Sequence, residues 1–434
     1  MKIIEILKFL FLTLVISISF LLILTSDNAN VHIIAFWFVV ITNIFLNKLD
    51  INNPNVWFTA SFALYSTGYA ILQANDYVYL HGYTKENILY PFIALIIFIV
   101  VMRQKEVIIK KNFRDERIAH KKVLEYCMFT LLIILLFTNL YIYITPFNHK
   151  NDLAGQNFIF SIAVYSSRVL CVFSSLYLLK FSGKDKKTSV LILSSLILIT
   201  ILSLLTGDRD AMLRYIVVLI VTLFIMEKIS RKMIILMIPI GTVFLIGTVY
   251  IKYYFVNGAL KEDLANRDFI HNFLNSDFSA AGSNFQLLLN NSWTEGYFGF
   301  KLIFNDIIQG IVPFVSKGNV GVWFNDTFHY NSYSRAFTLV GEGYVVGGIY
   351  GVIILFLLLS FIIRYLYKSS VKNAYWMSMY IYSIPTIILT FRSSLGVAFR
   401  EMFRISLLSL GLLLLLYLII SKKTLNKNQI REIK

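Results

Sequence analysis

Apolar runs close to twenty residues long recur along this chain, separated by short polar stretches carrying Lys, Arg, Asn and Gly. A helix rises about 1.5 Å per residue, so about twenty such residues cross the roughly 30 Å hydrocarbon layer of a bilayer. The runs predict about twelve transmembrane helices, at 7–25, 31–47, 55–74, 88–102, 124–145, 158–179, 189–206, 211–226, 233–251, 336–363, 374–391 and 405–420. They are continuous, whereas strands of a membrane barrel alternate apolar and polar positions over about ten residues. The expected fold is an all-α polytopic membrane protein. One interruption stands apart. Residues 252–335, about 84 in number, are aromatic-rich and broken by Gly and Asn. They read as one large extracytoplasmic loop, partly helical. The plan is nine spans over 1–251, the loop over 252–335, three spans over 336–420 and a basic cytoplasmic tail over 421–434.

Composition points the same way. Mean hydropathy is +0.70. Charged residues make up 15% of the chain, against roughly 25% in a globular one. An ordinary soluble domain is excluded. The formal charge of +16 does not call for nucleic acid, because cytoplasmic loops of membrane proteins are enriched in Lys and Arg. With the N-terminus inside, 26 of the 40 Lys and Arg fall on the cytoplasmic side. Long loops count little in this bias. With the six cations of 252–335 set aside, the contrast is 26 against 8. Both termini are therefore expected in the cytoplasm and the large loop outside. The first run follows Lys2 and Lys8 with no small-residue cleavage site, and reads as an uncleaved span. Cys127 and Cys171 lie within apolar runs and read as small core residues, not a disulfide framework.

Six of those eight remaining cations are arginines: Arg168, Arg209, Arg214, Arg392, Arg400 and Arg404. Arg335 joins them from the end of the loop. The guanidinium fork suits bidentate contact with phosphate. Arg168 lies near the middle of its span, where an arginine costs roughly 2.5–3.5 kcal/mol to insert. It is either functional or buried opposite a carboxylate, for which Glu342 is the main candidate inside the spans. Thr206 to Arg214 joins two spans with almost no loop, and Gly207 and Asp208 suit a tight turn. Arg209 and Arg214 either meet a ligand at the outer mouth or snorkel, partnered by Asp208 and Asp210. Arg400 and Arg404 share a helix face. With Arg392 they set three arginines on a short outer loop, against the charge bias. An anionic ligand accounts for that, and so does a weakly biased, solvated loop.

His329 and Glu342 are the candidate general bases. Each has a plainer reading, His329 as a structural side chain and Glu342 as an anion at a helix N-terminus. Gly341, Gly343, Gly347, Gly348 and Gly351 around Glu342 suit close helix contact. No Lys-Ser or Lys-Thr follows them, so they do not form a phosphate loop. No cluster of His, Cys or acids has metal-ligand spacing. The expected chemistry uses arginines and one base, with neither metal nor cofactor.

Certain short motifs occur in order: Thr-Gly-Asp-Arg-Asp at 206–210, Gly-Tyr-Phe-Gly at 296–299, Gly-Ile-Val-Pro at 310–313, and Gly-Glu-Gly-Tyr-x-x-Gly-Gly-x-x-Gly at 341–351. With the topology, they resemble the O-antigen and capsule repeat-unit polymerases of the Wzy type over the whole chain. The related O-antigen ligases share this architecture, which is similar to that of metal-independent GT-C glycosyltransferases. Members often carry a basic residue directly after the loop proline. Here Phe314 follows Pro313, and Lys317 is the nearest cation.

The resemblance implies a polysaccharide polymerase of the bacterial cytoplasmic (inner) membrane. A glycan on undecaprenyl diphosphate would pass to a sugar hydroxyl of a new lipid-linked repeat unit, with a chain-length regulator and a flippase as partners. Preplaced cations stabilise a departing diphosphate. Arg168, Arg209, Arg214, Arg392, Arg400 and Arg404 are the expected contacts, with Arg335 gating or binding and His329 or Glu342 as base. Trp293, Trp323 and Tyr333 would stack on sugars or anchor the interface. The rival readings are an O-antigen ligase and a flippase or transporter of the lipid-linked oligosaccharide. A transporter would show repeat symmetry and short loops on both sides, and neither is apparent in this chain.

Overall fold

A computed structural model describes residues 2–75, 82–103, 121–145, 158–181, 186–206, 210–237, 277–291, 297–312, 320–328 and 337–432, together with 239, 241, 243 and 247. Arg209, His329, Arg335, Lys317, Trp293 and Tyr333 lie outside the described residues. The described residues are mostly helical, with no strand among them. In chain order the helices are α1 (Lys2–Thr25), α2 (Ala29–Leu46), α3 (Pro54–Ala74), α4 (Glu86–Met102), α5 (Lys121–Ile144), α6 (Phe158–Phe181), α7 (Lys186–Thr206), α8 (Asp210–Ile225), α9 (Asp277–Asn290), α10 (Lys301–Ile311), α11 (Val320–Phe328), α12 (Leu339–Ser369), α13 (Ala374–Thr390) and α14 (Leu395–Glu432). Among the described residues, seven helices are long and apolar enough to cross a membrane: α1, α2, α5, α6, α7, α12 and the Leu395–Leu418 part of α14. α1 fits that setting well. Ile3, Leu7, Leu10, Phe11 and Leu14 are all exposed, a cost in water that a hydrocarbon surround removes.

The chain divides into two compact units. The first comprises Met1–Glu106, Lys261–Tyr365 and Thr386–Glu401; the second comprises Val107–Leu260, Leu366–Pro385 and Met402–Lys434.

In the first unit, α1 to α4 pack on one another and α9 packs on α3 and α4. Asn28 caps α2, and Asn53 caps α3 with Pro54 at the first position, each side chain accepting an otherwise orphaned N–H. A phenylalanine core binds the helices. Phe58 stacks on Phe98 with centroids 3.6 Å apart, and Phe62 meets Phe356 and Phe391 edge-on. Close approach of α9 to α3 needs glycine. A Cβ at Gly282 would meet Tyr69 Cβ at 2.7 Å, and one at Gly68 would meet Phe278 O at 3.0 Å. His32 is fully buried. Its Nε2 lies 2.8 Å from the Ser26 carbonyl and its Nδ1 lies 2.7 Å from the Tyr83 hydroxyl. A carbonyl only accepts, so Nε2 donates to Ser26.

α12 is not one rod. The 336–363 run reads as a single long span, but the helix breaks at Gly347 (φ −174°, ψ 36°) and Gly348 (φ 60°, ψ −138°). In a straight helix, residues 343 and 352 would lie about 13 Å apart. Here a Cβ on Gly343 would stand 2.6 Å from Val352 Cα. The chain folds back, making a short limb over 339–346 and a long one over 349–369, the latter about 30 Å long. The carbonyls of Val345 and Val346 accept from Phe298 N at 3.0 Å and Gly299 N at 3.1 Å. The short limb is thereby capped where the bend interrupts its own hydrogen bonds.

In the second unit, α5 packs on α6 and α7, and α6 packs on α8. Polar pairs join these apolar helices: Ser174 with Tyr215 at 2.7 Å, Thr222 with Ser175 at 3.0 Å, and Tyr177 donating to Glu125 at 2.9 Å. Such pairs hold helices where hydrocarbon gives no hydrophobic drive between them. Tyr375 of α13 reaches Ser409 of α14 at 2.8 Å.

Candidate functional site

In the second unit, two of the arginines singled out from the sequence share one carboxylate, and a third is linked to them through a tyrosine. Asp210 is the first residue of α8, where the positive end of the helix dipole favours an anion. One turn on, Arg214 Nε lies 2.9 Å from Asp210 Oδ2, and Arg168 of α6 reaches the same oxygen at 4.0 Å. Arg214 is 5% exposed, and the Arg168 side chain retains 20%. Tyr165, three residues before Arg168 and on the same helix face, has its ring 5.9 Å from the Arg168 guanidinium. Its hydroxyl accepts from Arg404 Nη1 at 2.8 Å. Arg168 and Arg214 thus share one carboxylate, and Arg404 joins them through Tyr165. The sequence points to Glu342 as the carboxylate opposite Arg168. The structure supplies Asp210 instead, because α8 starts level with the middle of α6, about 15 Å along that helix.

Of the other predicted residues, Glu342, Arg392 and Arg400 lie in the first unit. Glu342 sits on the short limb of α12 with no exposed surface. Its Oε2 accepts from Leu395 N at 2.7 Å, which sets a carboxylate on the N-terminus of α14. Ser394 adds a longer cap, its Oγ accepting from Val397 N at 3.4 Å. With these caps α14 starts at Leu395, so Arg400 is helical and the connection after α13 is only a short turn. Arg392 lies in that turn, half-buried. Arg400, also half-buried, has no hydrogen-bond or ion-pair partner among the described residues. Glu401 is buried and accepts from Thr386 at 3.1 Å. Trp323 packs edge-on against Phe298 and Phe328.

Tyr165 and the double use of Asp210 were not foreseen from the sequence. The three-residue spacing of Tyr165 from Arg168 was available as a signal. The pairing of Asp210 with a different helix was not.

Fold and site together define a multi-pass, all-helical membrane protein with a cationic centre among its helices. The family model for O-antigen polysaccharide polymerase Wzy matches residues 5–428. The chain belongs to that family, and it is a glycosyltransferase-type polymerase of polysaccharide biosynthesis acting on lipid-linked repeat units in the membrane. No curated protein and no solved structure matches the chain.

Proposed function

We propose that this polymerase transfers a growing glycan from undecaprenyl diphosphate to a sugar hydroxyl of a lipid-linked repeat unit. The reaction takes place at the outer face of the bacterial cytoplasmic membrane, with both termini inside. The observation that carries the reading is the pair Arg168 and Arg214 on Asp210, with Arg404 linked to Arg168 through Tyr165. In the transfer, the bond between the anomeric carbon and the phosphate oxygen breaks as the acceptor oxygen bonds to that carbon. Charge builds on the departing diphosphate, and fixed guanidiniums stabilise it without reorganising. Arg168 is more exposed than Arg214 and has the longer contact with Asp210, which suits it to meet phosphate. Arg209, which directly precedes Asp210 in sequence, is assigned to the same role. Arg392 and Arg400 are assigned to glycan or phosphate contacts in the first unit, and Arg335 to gating or binding. The acceptor proton goes to His329. Glu342 is fully buried and already serves Leu395, which suits positioning better than proton transfer. Guanidinium supplies the positive charge, so this scheme uses no resident metal. A flippase that delivers the repeat and a chain-length regulator are the partners it requires.

The test is deletion of the gene in its host, followed by complementation. Polymerase action predicts single-repeat glycan on the surface of the deletion strain and a full ladder on rescue. Arg168→Lys and Arg214→Lys should shorten the ladder. Full chain length in both variants would end the diphosphate assignment. Long unattached polymer would indicate a ligase, and internal lipid-linked repeats with no surface glycan a flippase.

A further inference from the structure

The first unit holds a group of side chains that the arginines do not use. Tyr90 of α4, Phe285 of α9 and Tyr344 of the short α12 limb form a triangle. Their ring centroids lie 5.9 Å (Tyr90–Phe285), 5.8 Å (Tyr90–Tyr344) and 5.8 Å (Phe285–Tyr344) apart. Phe285 is buried, and the two tyrosines are half-buried. Tyr297, beside the residues that cap the limb, is exposed, and a methyl group on Gly348 would meet its hydroxyl at 2.8 Å. Glu86 lies one turn before Tyr90 on α4, so both share a face. Glu86 and Tyr297 each lie within electrostatic reach of the Tyr90 and Tyr344 phenols.

These five side chains come from four separate segments. An interfacial aromatic belt places its rings singly, at one depth, around a membrane protein. Here the rings converge, two half-buried tyrosines packed on Phe285, with Tyr297 and the Glu86 carboxylate beside them. We propose that this platform binds a neutral sugar residue. A pyranose ring has a C–H face that packs on aromatic carbon and a rim of hydroxyls. The phenols both donate and accept, and Glu86 accepts from hydroxyls. None of the five carries positive charge, and Glu86 repels anions, so the platform takes the sugar and leaves phosphate to the arginines. The source of the sugar, a repeat-unit glycan, rests on the polymerase reading.

The probe is the repeat-unit oligosaccharide released from the host's lipid-linked precursor by mild acid, which removes the diphosphate. It is titrated against the full-length protein in lipid nanodiscs, with saturation-transfer NMR as the readout. Wild type should bind. Tyr90→Ala and Tyr344→Ala should each weaken binding about five- to tenfold. Tyr90→Phe and Tyr344→Phe, which keep the packing, should weaken it less. Glu86→Gln should also weaken binding. Absence of binding to wild type, or equal binding by Tyr344→Ala, Tyr90→Ala and Glu86→Gln, overturns the platform. That outcome beside a single-repeat deletion phenotype removes the platform alone. A deletion strain with normal polymer removes the polymerase reading and leaves the titration to stand.

Discussion

Alanine substitutions in the 341–351 glycine stretch give a graded test of the folded-back α12. A Cβ at Gly343 would lie 2.6 Å from Val352 Cα and 2.9 Å from Val352 N. These are backbone atoms and cannot rotate aside, so the limbs must separate. Overpacking of this kind costs about 1–3 kcal/mol, and a backbone collision belongs at the upper end. Gly348 has φ 60° and ψ −138°, close to a region that only glycine occupies freely, with a strain of about 1–3 kcal/mol for other residues. Its Cβ would also meet the Tyr297 hydroxyl, the far end of a side chain able to swing outward. Gly347 is the internal control. Its φ of −174° is extended backbone, and nothing lies within 4 Å of an added Cβ. Ala there should lie within about 1 kcal/mol of wild type. Thermal melting in nanodiscs, followed by tryptophan fluorescence with Trp57 buried in the same unit, should rank stability as Gly347→Ala, then Gly348→Ala, then Gly343→Ala. A Gly343→Ala protein melting with Gly347→Ala would refute the fold-back.

Three further outcomes follow from the side-chain contacts. Asp210→Asn removes the carboxylate between Arg168 and Arg214. Melting should fall by about 1–3 kcal/mol while affinity for inorganic pyrophosphate rises in calorimetric titration. Glu342→Gln keeps the shape but takes the charge from the α14 N-terminus. A loss of about 0.3–2 kcal/mol, with polymer length declining in step, marks a positioning role. Abolished polymerisation at unchanged melting would make Glu342 the base instead. Burial, and after it the Glu86 carboxylate, push the Tyr83 phenol above the usual tyrosine range. The stability linked to that shift is complete below about pH 10 and is lost as pH rises toward the folded value. Tyr83→Phe should flatten the alkaline limb of a melting-temperature profile.

Most helices were legible because hydrophobic run length is a direct consequence of bilayer thickness. The described helices α1 to α8 and α13 lie where apolar runs predict spans. The fold-back of α12 was not legible. Its two limbs form one continuous apolar run, and the evidence for the bend is the dihedral angles of Gly347 and Gly348, which hydropathy does not encode. The start of α14 at Leu395 depends on Glu342, a residue 53 positions away. At the candidate site, the sequence marked Arg168 as an arginine within a span, Arg214 from the tight turn at 206–214 and Arg404 as one of three arginines on a short outer loop. The acid shared by Arg168 and Arg214 was not legible, because pairing between α6 and α8 is a tertiary fact.

The capping of Val345 and Val346 by Phe298 and Gly299 bears on biogenesis. Synthesis runs from N- to C-terminus, so the two donor amides leave the ribosome about 47 residues before the carbonyls they serve. A half-helix ending inside a bilayer would otherwise present bare carbonyls to lipid, at several kcal/mol each. The receiving turn is thus made first, and the limb has a berth to enter as soon as it is translated.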